Sequence, residues 1–279
     1  VTEPTRITST QNPRVKALVK LRDHRGRRKA GLFIAEGVRE VTRAESAGLP
    51  IQSIWVCDAL LDDQTWLDAS FLPGLKQDVE VVEVSPEVFR KIAYVREPEG
   101  ILAVCEPSSW SLQGLSPADA STFDLIAVGT EKPGNLGAMV RSADLAGCRA
   151  VIAAGTPVDA MNPNAIRAST GSVFTLPTIS ASEDDTITYL KQQNIRVLAA
   201  VVDGDVEHTQ ADYTGPCAIV IGPEDRGLSE AWKQAASDTG GQTVRIATAG
   251  RSADSLNASV AAGVLLFEAV RQRQASGLQ

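Results

Sequence analysis

Two patterns of apolar residues alternate along this chain. Short apolar runs bounded by Gly, Pro, Asp or Asn predict strands, and longer stretches with apolar positions every three or four residues predict helices. In the first hundred residues, 12–21 predicts a basic helix and 31–36 a short strand. Residues 38–47 predict a helix ended by Gly48. Strands follow at 51–57 and 79–84, then a helix at 86–93 and a strand at 101–105. The stretch 106–123 is rich in Ser, Pro, Gly and Asp and has no period, which makes it a linker. Beyond it the alternation resumes. Strands are predicted near 124–129, 150–154, 196–202, 217–222 and 244–247, with helices near 136–146, 164–170, 183–193, 228–236 and 255–273. Strand–helix alternation implies an α/β fold with a mostly parallel sheet covered on both faces. The expected division is 1–106 as a small α/β domain, 107–123 as linker and 124–279 as a second α/β domain.

Composition narrows the class. The chain has 279 residues, 43% of them hydrophobic and 22% charged, as in ordinary globular proteins with room for two domains. The first residues show no charged segment leading into an apolar one, so no signal peptide is expected. The apolar stretch 258–267 is far short of a bilayer span. A cytoplasmic protein without a membrane segment is expected. Cys57, Cys105, Cys148 and Cys217 are scattered among apolar residues without a Cys-x-x-Cys pair, which reads as buried free thiols. With only His24 and His208 besides, no metal centre is expected, and Ser-His-Asp chemistry has little basis.

The formal charge of −7 argues against a nucleic-acid partner until it is divided. Residues 1–43 carry +7 and the remainder −14. Between Arg14 and Lys29 stand eight basic residues against the single acid Asp23. Such a local excess fits phosphate neutralisation, with Arg25, Arg27, Arg28 and Lys29 as candidate RNA contacts. A solvated helix and loop is the competing reading.

Candidate chemistry sits in three loops, each after a predicted strand. The first is Glu131-Lys132-Pro133-Gly134-Asn135-Leu136-Gly137, with Arg141 one turn beyond. The second is Gly222-Pro223-Glu224-Asp225-Arg226-Gly227, and the third runs Ser255-Leu256-Asn257-Ala258-Ser259 into an apolar helix. In open α/β sheets, ligands bind at the carboxyl ends of strands. Pro and Gly force the turns, while Ser255 and Asn257 suit orphan backbone N–H groups or a ligand.

Asn-x-Gly-x-x-x-Arg (Asn135, Gly137, Arg141), Gly-x-Glu-x-x-Gly (Gly222, Glu224, Gly227) and Ser-Leu-Asn-x-Ser (Ser255 to Ser259) resemble the three motifs of the SpoU/TrmH family. The resemblance implies an S-adenosylmethionine-dependent RNA ribose 2′-O-methyltransferase with a trefoil-knotted C-terminal domain. The first hundred residues are similar to the small ribosomal-protein-like RNA-binding domain of the ribosomal RNA branch. The implied substrate is ribosomal RNA of the large subunit (23S). Antibiotic-resistance members of that branch share this length and layout. By this resemblance Arg141 leads the catalytic set, joined by Asn135, Glu224, Ser255 and Asn257. Since a guanidinium hardly ever loses its proton, Arg141 is expected to position phosphate and hydroxyl. Gly222, Ile246, Leu256 and Asn257 are the implied cofactor contacts, and Val202, at the end of a predicted strand, is added to them. The family also implies a homodimer built on the C-terminal helix, which carries apolar Leu256, Val260, Val264, Phe267 and Val270.

Two departures stand out. The family opens its last loop with Ile-Pro-Met, where this chain has Ile246-Ala247-Thr248, and the stretch 249–254 is about one residue longer than in the family. Three other readings stay open: a transfer-RNA 2′-O-methyltransferase, a ribosomal-protein-like binder without catalysis, and a nucleotide-dependent oxidoreductase. Neither Gly-x-Gly-x-x-Gly after a first strand nor a phosphate-binding loop supports the last.

Overall fold

The computed structural model describes residues 5–61, 79–155, 159–250 and 255–277. Its packing separates two units, Val1–Ser109 with Met161–Thr175, and Trp110–Ala160 with Leu176–Gln279.

The first unit is built on a five-stranded sheet. Its strands are β1 (Thr5–Ile7), β2 (Phe33–Glu36), β3 (Ile51–Val56), β4 (Glu80–Val84) and β5 (Ile101–Cys105), in the order β1-β4-β3-β5-β2. β4 is parallel to β1 and β3, whereas β5 is antiparallel to both β2 and β3. Helix α1 (Pro13–Lys20) packs on a later helix, Pro86–Ile92. Val15 and Leu18 of the first and Phe89 and Ile92 of the second join Trp55, Val82 and Leu102 in one core. Asn12 starts α1 by accepting the Arg14 N–H at 2.8 Å, with Pro13 in the first turn, where a missing donor costs nothing.

Helix α2 (His24–Ala30) was not legible in the pattern, because its sequence HRGRRKA has no apolar stripe. It exists because it closes tightly on the end of α1. A Cβ at Gly26 would lie 1.9 Å from the Lys20 carbonyl oxygen, so only glycine allows the approach. Arg27 then turns inward and donates from Nη1 to the Leu21 and Arg22 carbonyls at 2.7 Å each. It satisfies carbonyls left open where α1 ends. Arg27 thus differs from the exposed contact expected of it: it is 5% exposed, and its Nη1 is spent on backbone carbonyls. Its neighbours Arg25, Arg28 and Lys29 are exposed.

Helix α3 (Val38–Ser46) and helix α4 (Pro86–Ile92) complete the N-terminal part of the unit, the latter capped by Ser85. The segment Met161–Thr175 belongs to the same packed body. The Phe33 and Phe174 rings lie 5.5 Å apart, and Arg43 Nη1 donates to Thr170 Oγ1 at 2.9 Å.

The second unit is a seven-stranded sheet in which every pairing is parallel. Its strands are β6 (Phe123–Val128), β7 (Ala150–Ala154), β8 (Thr178–Ala181), β9 (Arg196–Ala200), β10 (Val206–Glu207), β11 (Cys217–Ile221) and β12 (Gln242–Arg245), ordered β10-β12-β9-β11-β6-β7-β8. The central strands β6, β7 and β11 are buried along their whole length, as a sheet covered on both faces requires. The edge strands β8 and β10 were missed in the sequence. TISA mixes polar and apolar residues, and two residues of β10 carry no period.

Helices α5 (Pro133–Leu145), α7 (Glu183–Gln192), α8 (Glu230–Asp238) and α9 (Ala258–Ala275) belong to this unit, while α6 (Pro163–Ala168) lies in the segment packed with the first. The last helix packs on α5 and on β11. At the start of β6, fully buried Asp124 receives two hydrogen bonds from Arg149, at 2.5 and 3.1 Å. All four cysteines are free and buried, as expected, and burial pushes the Cys105 and Cys217 thiols up to about 12.

Candidate active site

Three loops leave the carboxyl ends of β6, β11 and β12, and the first and last lead into helices α5 and α9. They converge on one carboxylate. Glu224, three residues after β11, accepts from Asn135 Nδ2 at 3.1 Å and from the Ala258 N–H at 3.2 Å. Asn257 Nδ2 donates to the same oxygen, and Lys132 Nζ reaches the other at 3.2 Å. The Ala258 N–H and the Lys132 ammonium hold the Glu224 carboxyl below the ordinary carboxylate range. All three sequence motifs therefore share a single acceptor.

Local sequence explains each arm. Pro133 starts α5 at the position where its missing N–H is harmless, which sets Asn135 in the first turn. Asn257 is the N-cap of α9. Its Oδ1 accepts from the Ser259 N–H at 3.0 Å and the Ser259 hydroxyl at 2.6 Å, which leaves Nδ2 aimed at Glu224. Capping and site-building are thus two uses of one amide. The helix begins three residues later than the apolar pattern predicts, because Ser255, Leu256 and Asn257 form the entry to it.

Beside this hub opens a cavity of about 450 Å³ at the ends of β9, β11 and β12. Val202, Gly222, Ile246, Leu256, Glu224 and Ser255 all line it. Val202 and Leu256 are 75% and 39% exposed, so they are cavity walls and not core. A Cβ at Gly222 would stand 2.8 Å from both Gly227 C and Leu228 N, so the turn back from β11 demands glycine. Asp203 and Lys233 also line the cavity and were not singled out in the sequence, and so do Arg226 and Thr248, which stand in the candidate loops but were given no role there. Scattered single polar residues carry no motif, and only the sheet brings them together.

The chemistry of this lining suits an adenosyl sulfonium. Apolar Ile246, Leu256 and Leu228 offer walls to a flat base, Asp203 offers an acceptor for hydroxyls, and Glu224 and Asp225 bring negative charge near a cation. The part of the last loop at 251–254 lies outside the described residues.

Three expected residues stand apart from the cavity wall, among them Asn135, which reaches it through Glu224. Asn257 does not line the cavity and acts on it through Glu224. Arg141 is exposed on α5, makes no hydrogen bond or ion pair among the described residues, and does not line the cavity. Lys132, by contrast, was passed over in the sequence, where a lysine beside a Pro-Gly turn is unremarked, and it forms an ion pair within the hub.

Comparison with known proteins matches two separate stretches of the chain. The SpoU rRNA Methylase family matches residues 122–267, and the MRM3-like substrate binding domain matches residues 12–103. The chain is 33% identical over 278 residues to the 23S rRNA (uridine(2479)-2′-O)-methyltransferase of Streptomyces viridochromogenes, covering 96% of this chain and 92% of that protein. It is similar in structure to the AdoMet-bound rRNA methyltransferase from Sinorhizobium meliloti, with a TM-score of 0.84, 29% identity and coverage of 96% and 97%. The SpoU methyltransferase AviRb from Streptomyces viridochromogenes, in complex with AdoMet, matches with a TM-score of 0.83 and 29% identity, covering 95% of this chain and 100% of that one.

Proposed function

The chain belongs to the SpoU rRNA methylase family, and on that premise we propose that it methylates a ribose 2′-hydroxyl of 23S ribosomal RNA with S-adenosylmethionine as donor. The observation that carries this reading is the convergence of Asn135, Asn257 and Lys132 on Glu224 at the rim of a strand-end cavity.

When bound, S-adenosylmethionine would supply an electrophilic methyl group to the ribose oxygen and leave as S-adenosylhomocysteine, with the hydroxyl proton released to water. The protein's share is chiefly alignment, which is worth roughly 7–11 kcal/mol when reacting groups are held in near-attack geometry. Gly222, Ile246, Leu256 and Val202 form the walls that hold the donor. Glu224 is a positioning residue. Four donors already occupy its carboxylate and its affinity for a proton is lowered, so it is a poor base for the 2′-hydroxyl. It fixes the side chains of Asn135 and Asn257 and the start of α9, and Ser255 lines the cavity beside them. Arg141, without a hydrogen bond or ion pair among the described residues, is available to hold a substrate phosphate and the ribose hydroxyl.

The N-terminal unit is the RNA-docking part in this reading, supported by its match to a substrate binding domain and by exposed Arg25, Arg28 and Lys29. The C-terminal knot is supported by β11 lying between β6 and β9 while the last helix returns to pack on α5. A homodimer is supported by exposed Val260, Val264 and Phe267 on that helix. No helix among the described residues is long and apolar enough to cross a membrane, and a ribosomal substrate fits a cytoplasmic location.

Incubation with 23S RNA and methyl-labelled S-adenosylmethionine tests the reaction. Alkali-stable label on one ribose is expected, and label on a base overturns the 2′-O assignment. Transfer RNA serves as the competing substrate. Expressing the chain in a susceptible bacterium and scoring growth under ribosome-directed antibiotics tests the resistance role.

A further inference from the structure

The first unit contains a second polar cavity, of about 460 Å³, made entirely of its own residues. That volume falls within the roughly 300–1,000 Å³ span of small-ligand sites. Its walls are pinned by hydrogen bonds. Glu36, at the end of β2, accepts from the Tyr94 N–H at 2.7 Å and the Val95 N–H at 3.4 Å. Glu99 accepts from the Val38 N–H at 2.9 Å at the start of α3. The loop 94–99 is thereby fixed on both sides of the opening.

The lining is unusual in its balance. Arg39, Arg96 and Arg167 face Glu36, Glu40, Glu97 and Glu99. Some of these are spent within the protein: Arg39 pairs with Glu40 at 2.8 Å, and Glu36 and Glu99 serve backbone donors. Left over are the exposed guanidiniums of Arg96 and Arg167, without a hydrogen bond or ion pair among the described residues, and the exposed carboxylate of Glu97. The cavity as a whole sets three guanidiniums against four carboxylates, so these two donors and one acceptor are a poor trap for phosphate alone. They match the edge of a nucleobase, which carries donors and acceptors side by side.

Glu36 and Arg167 also line an adjoining recess, whose other walls include apolar Ile34, Ile92 and Ile166 and the 42% exposed ring of Tyr94. Unpaired RNA bases are read in this way, stacked on an aromatic or guanidinium plane and hydrogen-bonded along their edges.

We propose that the Arg96–Arg167 cavity, with the Tyr94 recess beside it, holds one splayed-out nucleotide of the RNA substrate. Arg96 and Arg167 donate to base acceptors, Glu97 accepts from an amino or imino group, and Tyr94 supports the base face. The proposal deepens the RNA reading above and rests on it. It also adds a residue that sequence boundaries assign elsewhere, since Arg167 lies within the stretch matched to the methylase family yet packs with the first unit.

The test uses the full chain and the variants Tyr94→Ala, Arg96→Gln and Arg167→Gln, each checked for an unchanged melting temperature. Short single-stranded RNAs rich in A, C, U or G are titrated by fluorescence anisotropy beside an RNA duplex. The expected result is a base preference in the wild type and about ten-fold weaker single-strand binding in each variant, the size of one lost base contact. Duplex binding stays unchanged. For ribosomal RNA methylation, KM rises while kcat holds. Variants that bind every single strand like the wild type overturn the proposal. So does equal loss on duplex and single strands with a flatter salt dependence, which means phosphate contacts only. A wild type that shows the expected binding but transfers no methyl group to ribosomal RNA refutes the enzymatic reading and leaves the cavity standing. A wild type that methylates, with variants indistinguishable from it, refutes the cavity alone.

Discussion

Glu224 and Arg141 illustrate opposite kinds of functional side chain. Glu224 is committed to protein donors, so its removal is felt as disorder at three loop ends. Glu224→Ala leaves Asn135, Asn257 and the Ala258 N–H without their acceptor, and we expect turnover to fall on the order of 10²-fold, with Gln recovering part of it. Its pH signature has a definite sign. A carboxyl whose folded pKa lies below its unfolded value contributes organisation that is complete above the unfolded value, about 4.3, and is lost as pH falls through the lower folded one. Acid inactivation by this route therefore sets in below the ordinary range of a free Glu, and a limb near neutral pH belongs to another group. Arg141→Ala should also cost on the order of 10²-fold in turnover. Because Arg141 makes no hydrogen bond or ion pair among the described residues, the melting temperature and cofactor affinity of the variant should not move. Lys should rescue poorly for want of the planar fork. Near-normal turnover shows Arg141 to be an ordinary surface residue. The hub was legible in the sequence because Asn135, Glu224 and Asn257 belong to three motifs that resemble those of the SpoU/TrmH family, each in a loop after a predicted strand. The burial of Arg27 was not legible because charge in a sequence does not tell where a side chain points, and Lys132 was missed because one lysine in a turn makes no pattern.

Elements were legible where packing imposes a period. Strands β5 and β7 lie where the apolar runs predict them, since both are buried throughout and carry unbroken apolar residues. Helix α2 escaped notice because tight contact through Gly26 and an inward Arg27 replace an apolar face. Strands β8 and β10 exist because the sheet offers partners at its edges. The sheet's own anchor is also hidden in sequence. Asp124 opens β6 with no exposed surface, and Arg149, one residue before β7, pairs with it and donates to the Ser116 carbonyl and the Tyr189 hydroxyl. Burial raises the Asp124 carboxyl while the guanidinium pulls it down. The two hydrogen bonds from Arg149 nonetheless fit an ionised pair. Arg149→Ala strands a buried carboxylate, so a loss of about 3–5 kcal/mol is expected from the urea midpoint. The double variant Asp124→Leu with Arg149→Met should recover much of it. A single variant as stable as the wild type means that the pair is solvated.

At the scale of the whole molecule, charge is divided: +7 in residues 1–43 against −14 in the rest. An acidic chain that must capture a polyanion needs its basic residues gathered on a surface, and Arg25, Arg28 and Lys29 are exposed together on α2. Neutralising these three should weaken RNA binding and lower its salt slope by about 0.7–0.9 for each lost phosphate contact, with cofactor affinity unchanged. Arg27→Ala should behave differently, as a folding defect without a special salt signature, because its guanidinium serves carbonyls. The other whole-molecule question is what covers the last helix. Ala262, Leu265, Leu266 and Ala269 of α9 are buried in its own subunit, whereas Val260, Val264 and Phe267 remain 51%, 36% and 50% exposed. A helix apolar on more than one side is asking for a second partner. Leu145 on the adjoining helix α5 is 68% exposed as well. A second copy of the chain, related by a twofold axis, would cover such a self-complementary patch. Sedimentation at micromolar concentration should then give a dimer, and Phe267→Glu with Val264→Glu should give a folded monomer with reduced methylation. A wild-type chain that sediments as a monomer with full activity ends the dimer reading. Monomeric variants that keep full turnover would separate assembly from catalysis, so that the exposed face serves only to join subunits.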